Sequence, residues 1–185
     1  PDTAGNGGFK GGSPLPPSIE WIRAVSSPQT KAPAPYFSSI SKLKLLPINQ
    51  YKGVNNLDPI KYYYWPIFGT MYRQRVELAL GECTGGERVL EVGFGTGLAF
   101  PNLHDIYREI HGIDLTVDIK AVEAVFEPMG IPLFLEKGDV LKMPYEDGFF
   151  DTVLLISILE HLKPFELEQA LAEVKRVLKP GGQMV

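Results

Sequence analysis

The stretch "VLEVGFGTGLAF", residues 89–100, constrains the fold more than any other part of the sequence. Its first half is an apolar run typical of a buried strand, and glycines then occupy positions 93, 95 and 97. Glycine tolerates left-handed backbone conformations and the close approach of other atoms. The residues after the glycines suit the opening of a helix. The stretch therefore predicts a strand, a glycine loop and a helix, an arrangement that brings nucleotide-like ligands to the end of a strand.

Apolar runs and helix-length segments alternate along the rest of the chain. The runs are "RVLEVG", "EIHGID", "PLFLEKGD" and "FDTVLLISI", and a helical pattern from Met71 to Gly81 precedes the first of them. Segments 97–107, 116–129 and 164–179 have helical length, whereas "VLKMPYEDGF" suits a loop. Strands that alternate with helices predict right-handed crossovers. We expect an α/β, Rossmann-like, doubly wound and mainly parallel sheet with helices on both faces.

Composition changes set the expected domain boundaries. Residues 1–48 concentrate glycine, proline and serine, yet they contain anchors such as Trp21 and Tyr36. We predict an irregular N-terminal arm over 1–48, acting as a lid, and a ligand-binding domain over 49–185. The segment "KPGG" is predicted to end the last helix, and "GGQMV" only starts a fifth strand. We therefore expect further C-terminal strands beyond Val185, since the sheet would otherwise expose an edge.

Charge and cysteine content narrow the function classes. The net charge of −4 and the pI near 5.4 argue against a broad basic surface for nucleic acid. Cys83 is the only cysteine, which excludes an internal disulfide and a multi-cysteine metal cluster and fits a reducing compartment. No apolar run reaches membrane-spanning length, although "SKLKLLPI" is a candidate for peripheral membrane contact. We predict a soluble, cytoplasmic protein without a bound metal or nucleic-acid partner; the sequence leaves the oligomeric state open.

Spacing separates two classes of cofactor that use such a glycine loop. The dinucleotide fingerprint has glycine at its sixth position, where this chain has Leu98. Here an acidic residue, Glu91, lies two positions before the first glycine, and Gly97 falls at the fifth position. This pattern favours a ligand without a pyrophosphate. Asp114 and Asp139 end the second and third apolar runs, so both carboxylates are expected beside the loop, with Asp114 placed to bind ribose hydroxyls.

Each of these residues also has a purely structural interpretation. The glycines could form an ordinary turn, Asp114 could cap a helix, as Thr116 also could, and Asp139 could belong to a turn. Three matching features at successive strand ends favour a shared ligand site over three independent turns.

Together these segments resemble the class I S-adenosylmethionine-dependent methyltransferases, from about Leu57 to the C-terminus. The resemblance lies in "VLEVGFGTG", "GIDLT", "GDVLKMPYEDGFFDTV", "ISILEHL" and "VLKPGG", in the order and spacing of that family. It implies S-adenosylmethionine as cofactor and S-adenosylhomocysteine as product. Phe94 stands where the family often has a small residue.

The resemblance also implies roles for individual residues. Glu91 and the loop 93–97 would surround the methionine and ribose, and Asp114 would pair with the ribose hydroxyls. Asp139 would bond the adenine amino group, the Val140 backbone would meet the ring, and Ile156 would border the methionine. The predicted cofactor-binding residues are Glu91, Gly93, Phe94, Gly95, Gly97, Asp114, Leu115, Asp139, Val140 and Ile156.

The resemblance gives less detail about the methyl acceptor. The stretch "YYYWPIFGTMYRQRVELAL" looks like bacterial phospholipid N-methyltransferases and, less closely, ubiquinone/menaquinone-biosynthesis methyltransferases. That implies a small-molecule or lipid acceptor. Tyr63 and Tyr64 are candidates to close the pocket, although core packing is an alternative for them. His161 is the candidate general base, or else it lines the pocket or caps a helix, and Glu160 is expected to be structural.

Two other functions are compatible with a glycine loop. A nicotinamide oxidoreductase is disfavoured by Leu98 and Glu91. A sensor or assembly subunit that binds S-adenosylmethionine without turnover shares the same motifs, because a fold does not guarantee chemistry.

Overall fold

A computed structural model describes residues 42–54 and 59–185 of the chain. Its helices and strands follow the expected alternation. The strands are β1 (Gly86–Val92), β2 (Tyr107–Asp114), β3 (Leu133–Lys137), β4 (Phe150–Leu154) and β5 (Leu178–Met184). The α-helices are α1 (Phe68–Glu82), α2 (Phe100–Leu103), α3 (Ile119–Phe126) and α4 (Pro164–Val177). Short 3₁₀ helices occupy Ile48–Tyr51, Ile60–Tyr64, Glu127–Met129 and Leu159–His161.

The five strands form one sheet in the order β3-β2-β1-β4-β5, and every neighbouring pair is parallel. In the centre, Val89 of β1 lies opposite Ile110 of β2 and Thr152 of β4. The chain crosses between parallel strands through helices, except between β3 and β4, where a loop makes the connection as predicted. All carboxyl ends of the strands therefore lie on one rim of the sheet.

The core has two halves, one on each face of the sheet. Val89 and Leu90 are both fully buried, and their side chains point to opposite faces because strand residues alternate. On the face of Val89, helices α1, α2 and α3 contribute buried residues that include Val76, Phe100 and Phe126. On the face of Leu90, α4 packs alone among the α-helices. The prediction of a parallel α/β sheet with helices on both faces is confirmed.

The end of the chain differs from the prediction. The "KPGG" segment, residues 179–182, belongs to β5 and does not terminate the preceding helix, which ends at Val177. Phe150 pairs with Leu178 and Thr152 with Gln183, so residues 179–182 bulge out of the register. Pairing with the edge of β4 satisfies the backbone polar groups on either side of the bulge, and this outweighs the turn preference of proline and glycine.

Helix boundaries also differ in three places. The predicted helix over 97–107 is reduced to α2, which has only four residues. Helix α1 continues through Gly81 to Glu82, and the cap of α3 is Asp118, not Thr116. The Asp118 carboxylate accepts hydrogen bonds from the backbone N–H groups of the first turn.

The described end of the predicted arm lies on the core. Leu43 is buried, its N–H donates to Glu77 of α1, and the N–H of Lys44 donates to Asn102 of α2. Leu45 and Leu46 pack against the same side. Leu43 is therefore buried and Leu45 and Leu46 are partly buried against the core, whereas membrane contact by "SKLKLLPI" stays a prediction. Trp21, Tyr36 and most of the arm lie outside the described residues, so its boundary and its role as a lid stay predictions.

The carboxylate of Asp151 joins three strands. One oxygen accepts hydrogen bonds from the N–H groups of Glu87 and Arg88, and the other accepts from Lys179 Nζ at 2.7 Å. Partial burial pushes the pKa of Asp151 upward, but the Lys179 bond and the two backbone bonds outweigh burial and hold the pKa below its ordinary value. A carboxyl group with a depressed pKa stabilises the fold above its unfolded-state pKa.

We expect Asp151→Asn to lower the free energy of unfolding by about 1–3 kcal/mol at neutral pH, because a charge-assisted hydrogen bond to Lys179 is lost. The difference from wild type should shrink below about pH 4, as the wild-type carboxyl group protonates. Urea unfolding at neutral and acidic pH measures both effects. Asp147→Asn, which removes a mostly exposed carboxylate, is the control and should change stability by less than about 0.5 kcal/mol. Equal effects of the two substitutions would contradict this assignment.

Candidate functional site

A cavity of about 730 Å³ opens at the carboxyl ends of β1, β2 and β4 and beside the loop after β3. Nine of the ten predicted cofactor-binding residues line it, and so does His161. The nine are Glu91, Gly93, Phe94, Gly95, Asp114, Leu115, Asp139, Val140 and Ile156. Gly97 is the one that does not line the cavity. The tertiary structure thus brings together residues that span 66 positions of the sequence, from 91 to 156.

The glycine loop after β1 depends on left-handed backbone conformations. Gly93, Gly95 and Gly97 have φ values of +67°, +54° and +72°, which strain any residue with a Cβ atom. A Cβ at Gly93 would lie 2.0 Å from Cδ1 of Ile158, and a Cβ at Gly97 would lie 2.5 Å from the ring of Phe100. The first and third glycines therefore admit close side-chain packing as well as a tight turn.

The N–H groups of these glycines are already used inside the protein. Gly93 donates to the carbonyl of Ile113, Gly95 to the Asp114 carboxylate and Gly97 to the carbonyl of Phe94. A pyrophosphate needs several free N–H donors at the start of a helix. The N–H groups of all three loop glycines are therefore not free for a pyrophosphate, which agrees with the prediction of a ligand lacking one.

Asp114 connects the end of β2 to the glycine loop. Oδ2 accepts from the N–H of Gly95 at 3.1 Å, and Oδ1 accepts from the N–H groups of Thr116 and Val117 at 2.9 and 3.2 Å. A carboxylate has about four acceptor positions, so Oδ2 can accept a further hydrogen bond from a ligand. Asp114 therefore has a structural task in addition to its place on the cavity wall.

Asp139 lies one strand further along the same rim. Its Oδ1 accepts from the N–H of Leu141 at 2.9 Å, and an isolated bridge to Lys142 closes the turn that holds it. This turn also places Val140 on the cavity wall with its side chain buried. Among the described residues, no donor bonds the second carboxylate oxygen of Asp139, so this oxygen can accept a hydrogen bond from a ligand.

Phe94 fits this loop because Gly112, in the neighbouring strand β2, has no side chain. Its side chain is buried, and its ring centroid lies 5.7 Å from that of Phe100. A Cβ at Gly112 of β2 would lie 2.6 Å from the Phe94 ring. The bulk at position 94 is thus accommodated by the glycine at position 112.

The aromatic segment before α1 contributes to the cavity in part. Tyr63 is buried and lines it, and the guanidinium of Arg75 donates to the Tyr63 hydroxyl at 3.3 Å. Tyr64 does not line the cavity; its hydroxyl donates to the carbonyl of Leu46. Of the two candidate tyrosines, Tyr63 therefore lines the cavity and Tyr64 does not, and closure of the pocket by Tyr63 stays a prediction.

The loop after β4 forms the opposite wall. Ile156, Ser157 and Ile158 line the cavity, followed by Glu160 and His161 in a short 3₁₀ helix. Ser157 has a φ of +60°, which is uncommon for a residue with a side chain and typical of functional sites. His161 is exposed at the cavity wall, a position open to an entering molecule.

Several lining residues were not found from the sequence. Tyr72, Arg75 and Val76 project from one face of α1, and their spacing of three and four residues could have identified them as neighbours. Ser157 carries no sequence signal, because its conformation follows from the path of the loop. Arg75 is the one Lys or Arg among the described lining residues, against five carboxylates. Those carboxylates belong to Glu91, Asp114, Asp139, Glu160 and Glu166.

Known proteins share this architecture. The family model described as "Methyltransferase domain" matches residues 90–185, which is more than half of the chain. The chain therefore belongs to the class I S-adenosylmethionine-dependent methyltransferase family.

Individual relatives cover parts of the chain. Phosphatidylethanolamine N-methyltransferase of Cereibacter sphaeroides is 36% identical over 54% of the chain and 49% of its own length. Demethylmenaquinone methyltransferase of Beutenbergia cavernae is 31% identical over 62% of the chain and 45% of its own length. The chain thus spans about half the length of these relatives. The crystal structure of the PH0226 protein from Pyrococcus horikoshii is 31% identical with a TM-score of 0.56, covering 66% of this chain and 60% of that one.

We expect Gly93→Ala to destabilise the protein, because the new methyl group meets Ile158 at 2.0 Å and the residue keeps a φ of +67°. Gly53→Ala is the matched control, since Gly53 has a φ of +81° and open space around its Cβ position. Backbone strain of about 1–2 kcal/mol applies at both positions. Gly93→Ala should therefore cost more than Gly53→Ala in thermal or urea unfolding, because only Gly93→Ala adds a clash with Ile158. Adding Ile158→Val, which removes Cδ1, should recover part of the excess. Equal costs at both glycines would show that Ile158 does not constrain the loop.

Proposed function

We propose that this protein transfers a methyl group from S-adenosylmethionine to a small-molecule or lipid acceptor, at nitrogen, oxygen or carbon, by in-line displacement. One observation carries the proposal: a single cavity collects the glycine loop after β1, Asp114 after β2 and Asp139 after β3. Family membership supports the choice of cofactor.

The chemistry of the cavity wall suits that cofactor. S-adenosylmethionine supplies an activated methyl group on a cationic sulfur, together with ribose hydroxyls and an adenine amino group. Five carboxylates on the wall favour a ligand with positive charge, and a volume of about 730 Å³ lies within the usual range for such ligands. Gly93 and Gly95 line the cavity without side chains, so a ligand can meet the loop at its backbone.

The residue roles in this proposal are those that the family resemblance implies, assigned to residues that line the cavity. Asp114 accepts from the ribose hydroxyls through the free acceptor position of Oδ2, and Asp139 accepts from the adenine amino group. The Val140 backbone meets the adenine ring. Leu115, which follows β2 on the same rim, lines the cavity beside the ribose and adenine. Glu91, Phe94 and Ile156 border the methionine end, and Gly97 supports the loop from behind through its contact with Phe100.

Such a transfer asks the protein mainly for position and for exclusion of water, so a catalytic nucleophile is not required. Tyr63 and Tyr72 line the cavity, where aromatic rings can attract a cation. His161 would take a proton only from an acceptor that must lose one before it reacts.

The acceptor enters, we infer, beside Tyr63, Tyr72 and Arg75, which line the cavity on the side of α1. These residues lie beyond the three strand ends that hold the cofactor in this proposal. Relatives named for methylating phosphatidylethanolamine and demethylmenaquinone support a lipid acceptor.

Calorimetric titration tests the cofactor assignment. We expect S-adenosylmethionine and S-adenosylhomocysteine to bind in the micromolar range and NAD not to bind, because the N–H groups of the three loop glycines already have acceptors within the protein. Binding of NAD alone would overturn the proposal. Binding of both sulfur nucleotides without methylation of any lipid amine or quinol would point to a non-catalytic binding protein.

Asp139→Asn tests the adenine contact. An asparagine can still accept from the Leu141 N–H, but its amide nitrogen would face the adenine amino group donor to donor. We expect S-adenosylhomocysteine to bind more weakly by about 1–3 kcal/mol, measured by calorimetry, with unfolding unchanged. Asp147→Asn is the matched control. Unchanged affinity in the Asp139 variant would show that the adenine lies elsewhere.

A further inference from the structure

An exposed apolar ridge runs along α1 and the segment before it. It comprises Trp65, Ile67, Phe68, Met71 and Leu78, whose exposed fractions range from 48% for Trp65 to 78% for Ile67. Five of the eleven large apolar residues that are exposed in the described part of the chain belong to this ridge. Isolated exposed apolar residues need no explanation, but a contiguous group of this size usually marks an interaction surface.

The buried residues of α1 lie away from the ridge. Helix α1 packs on the core through Gly69, Val76 and Leu80, which lie on the other side of the helix. Met71 and Leu78 are seven residues apart and therefore share one face, directed away from the core. Their apolar side chains remain exposed to water, and burying them against a partner would be favourable.

The charge beside the ridge is positive. Between Ile60 and Val76 the chain carries Lys61, Arg73 and Arg75 and no carboxylate, although the whole chain has a net charge of −4. Arg73 is held inward by the carbonyl of Tyr63 and the hydroxyl of Thr70.

The other two cations of this segment are exposed. The Lys61 ammonium lies 5.2 Å from the centroid of the Tyr62 ring, and Arg75 donates to the Tyr63 hydroxyl without an ion pair among the described residues. The next carboxylate along the chain, Glu77, faces the core side and accepts from the N–H of Leu43. The surface around the ridge therefore favours an anionic partner.

Aromatic residues complete the surface. The rings of Tyr62 and Trp65 meet edge to face with centroids 5.1 Å apart, and Trp65 meets Phe68 at 6.2 Å. Tryptophan and tyrosine next to lysine and arginine are favoured at the boundary between lipid tails and head groups.

We propose that the ridge docks on an anionic lipid surface. Apolar and aromatic side chains enter the head-group boundary, while Lys61 and Arg75 meet the negative lipid charge. Residues 1–41 are a poorer partner for this surface, because their three basic and two acidic side chains give them a net charge of +1. Helix α1 lines the cavity through Tyr72, Arg75 and Val76, so docking would bring the cavity close to the lipid. This last consequence, the delivery of a lipid acceptor, rests on the proposed function; the docking surface does not.

Vesicle co-sedimentation tests the proposal without cofactor or turnover, so its outcome is independent of the calorimetric titration. The protein should sediment with vesicles of phosphatidylcholine mixed with phosphatidylglycerol and much less with phosphatidylcholine alone. The double variant Phe68→Ser/Met71→Ser should bind the mixed vesicles about tenfold more weakly or worse, since buried apolar groups are removed. Lys61→Glu should weaken binding by about fivefold for each unit of charge changed.

Matched controls use exposed residues away from the ridge. Ile106→Ser removes an exposed apolar residue that precedes β2, on the opposite rim from the cavity, and Lys120→Glu reverses an exposed charge on α3. Both should bind like the wild type, and circular dichroism should show that every variant is folded. Absence of sedimentation with the mixed vesicles, or sedimentation that the ridge substitutions leave unchanged, would overturn the proposal. A dimer in solution that Phe68→Ser/Met71→Ser dissociates, without vesicle binding, would assign the ridge to a second copy of the chain and would also overturn it.

Discussion

Burial of β1 on both faces is the constraint on which the rest of this structure depends. Val89 and Leu90 have no exposed surface, so helices must cover both sides of the sheet. Parallel strands on either side of β1 satisfy its backbone polar groups, and crossovers through helices keep all carboxyl ends on one rim. The candidate site is a consequence of this arrangement, because residues far apart in sequence arrive at the same rim.

The glycine loop shows how packing and binding share the same residues. Gly93 leaves space that Ile158 approaches, Gly97 leaves space for Phe100, and Gly95 donates to Asp114. That hydrogen bond ties the loop after β1 to the end of β2, so the loop is positioned before any ligand arrives. A preorganised site loses less conformational entropy on binding. Phe94 is accommodated in a similar way, because its ring packs where a side chain at position 112 would otherwise lie.

Helix α1 has three sides with different surroundings: the core, the cavity and solvent. Val76 and Leu80 secure it to the core, Tyr72 and Arg75 line the cavity, and the face of Met71 and Leu78 is exposed. A helix can divide its surface in this way because neighbours in sequence project about 100° apart around its axis. The proposed lipid contact and the proposed entrance of the acceptor are therefore fixed relative to each other by a single rigid element.

The sequence by itself determined the class of fold, the family and the main polar residues of the cavity wall. Periodicity, glycine spacing and the acidic residues after two strands are local sequence patterns. They can be interpreted without knowledge of the three-dimensional contacts. It placed Glu91, Asp114 and Asp139 on one rim because the direction of parallel strands follows from their alternation with helices.

Only the tertiary structure decided the remaining features. Residues 179–182 form part of β5 because the edge of β4 pairs with the residues on either side of them, and the leucines of "SKLKLLPI" turn inward because α1 and α2 offer Glu77 and Asn102 as hydrogen-bond partners. Tyr63 and Tyr64, adjacent in sequence, separate into a cavity residue and a residue bonded to Leu46. In each case the energy comes from a partner distant along the chain, and a sequence pattern does not specify which distant partner a residue will meet.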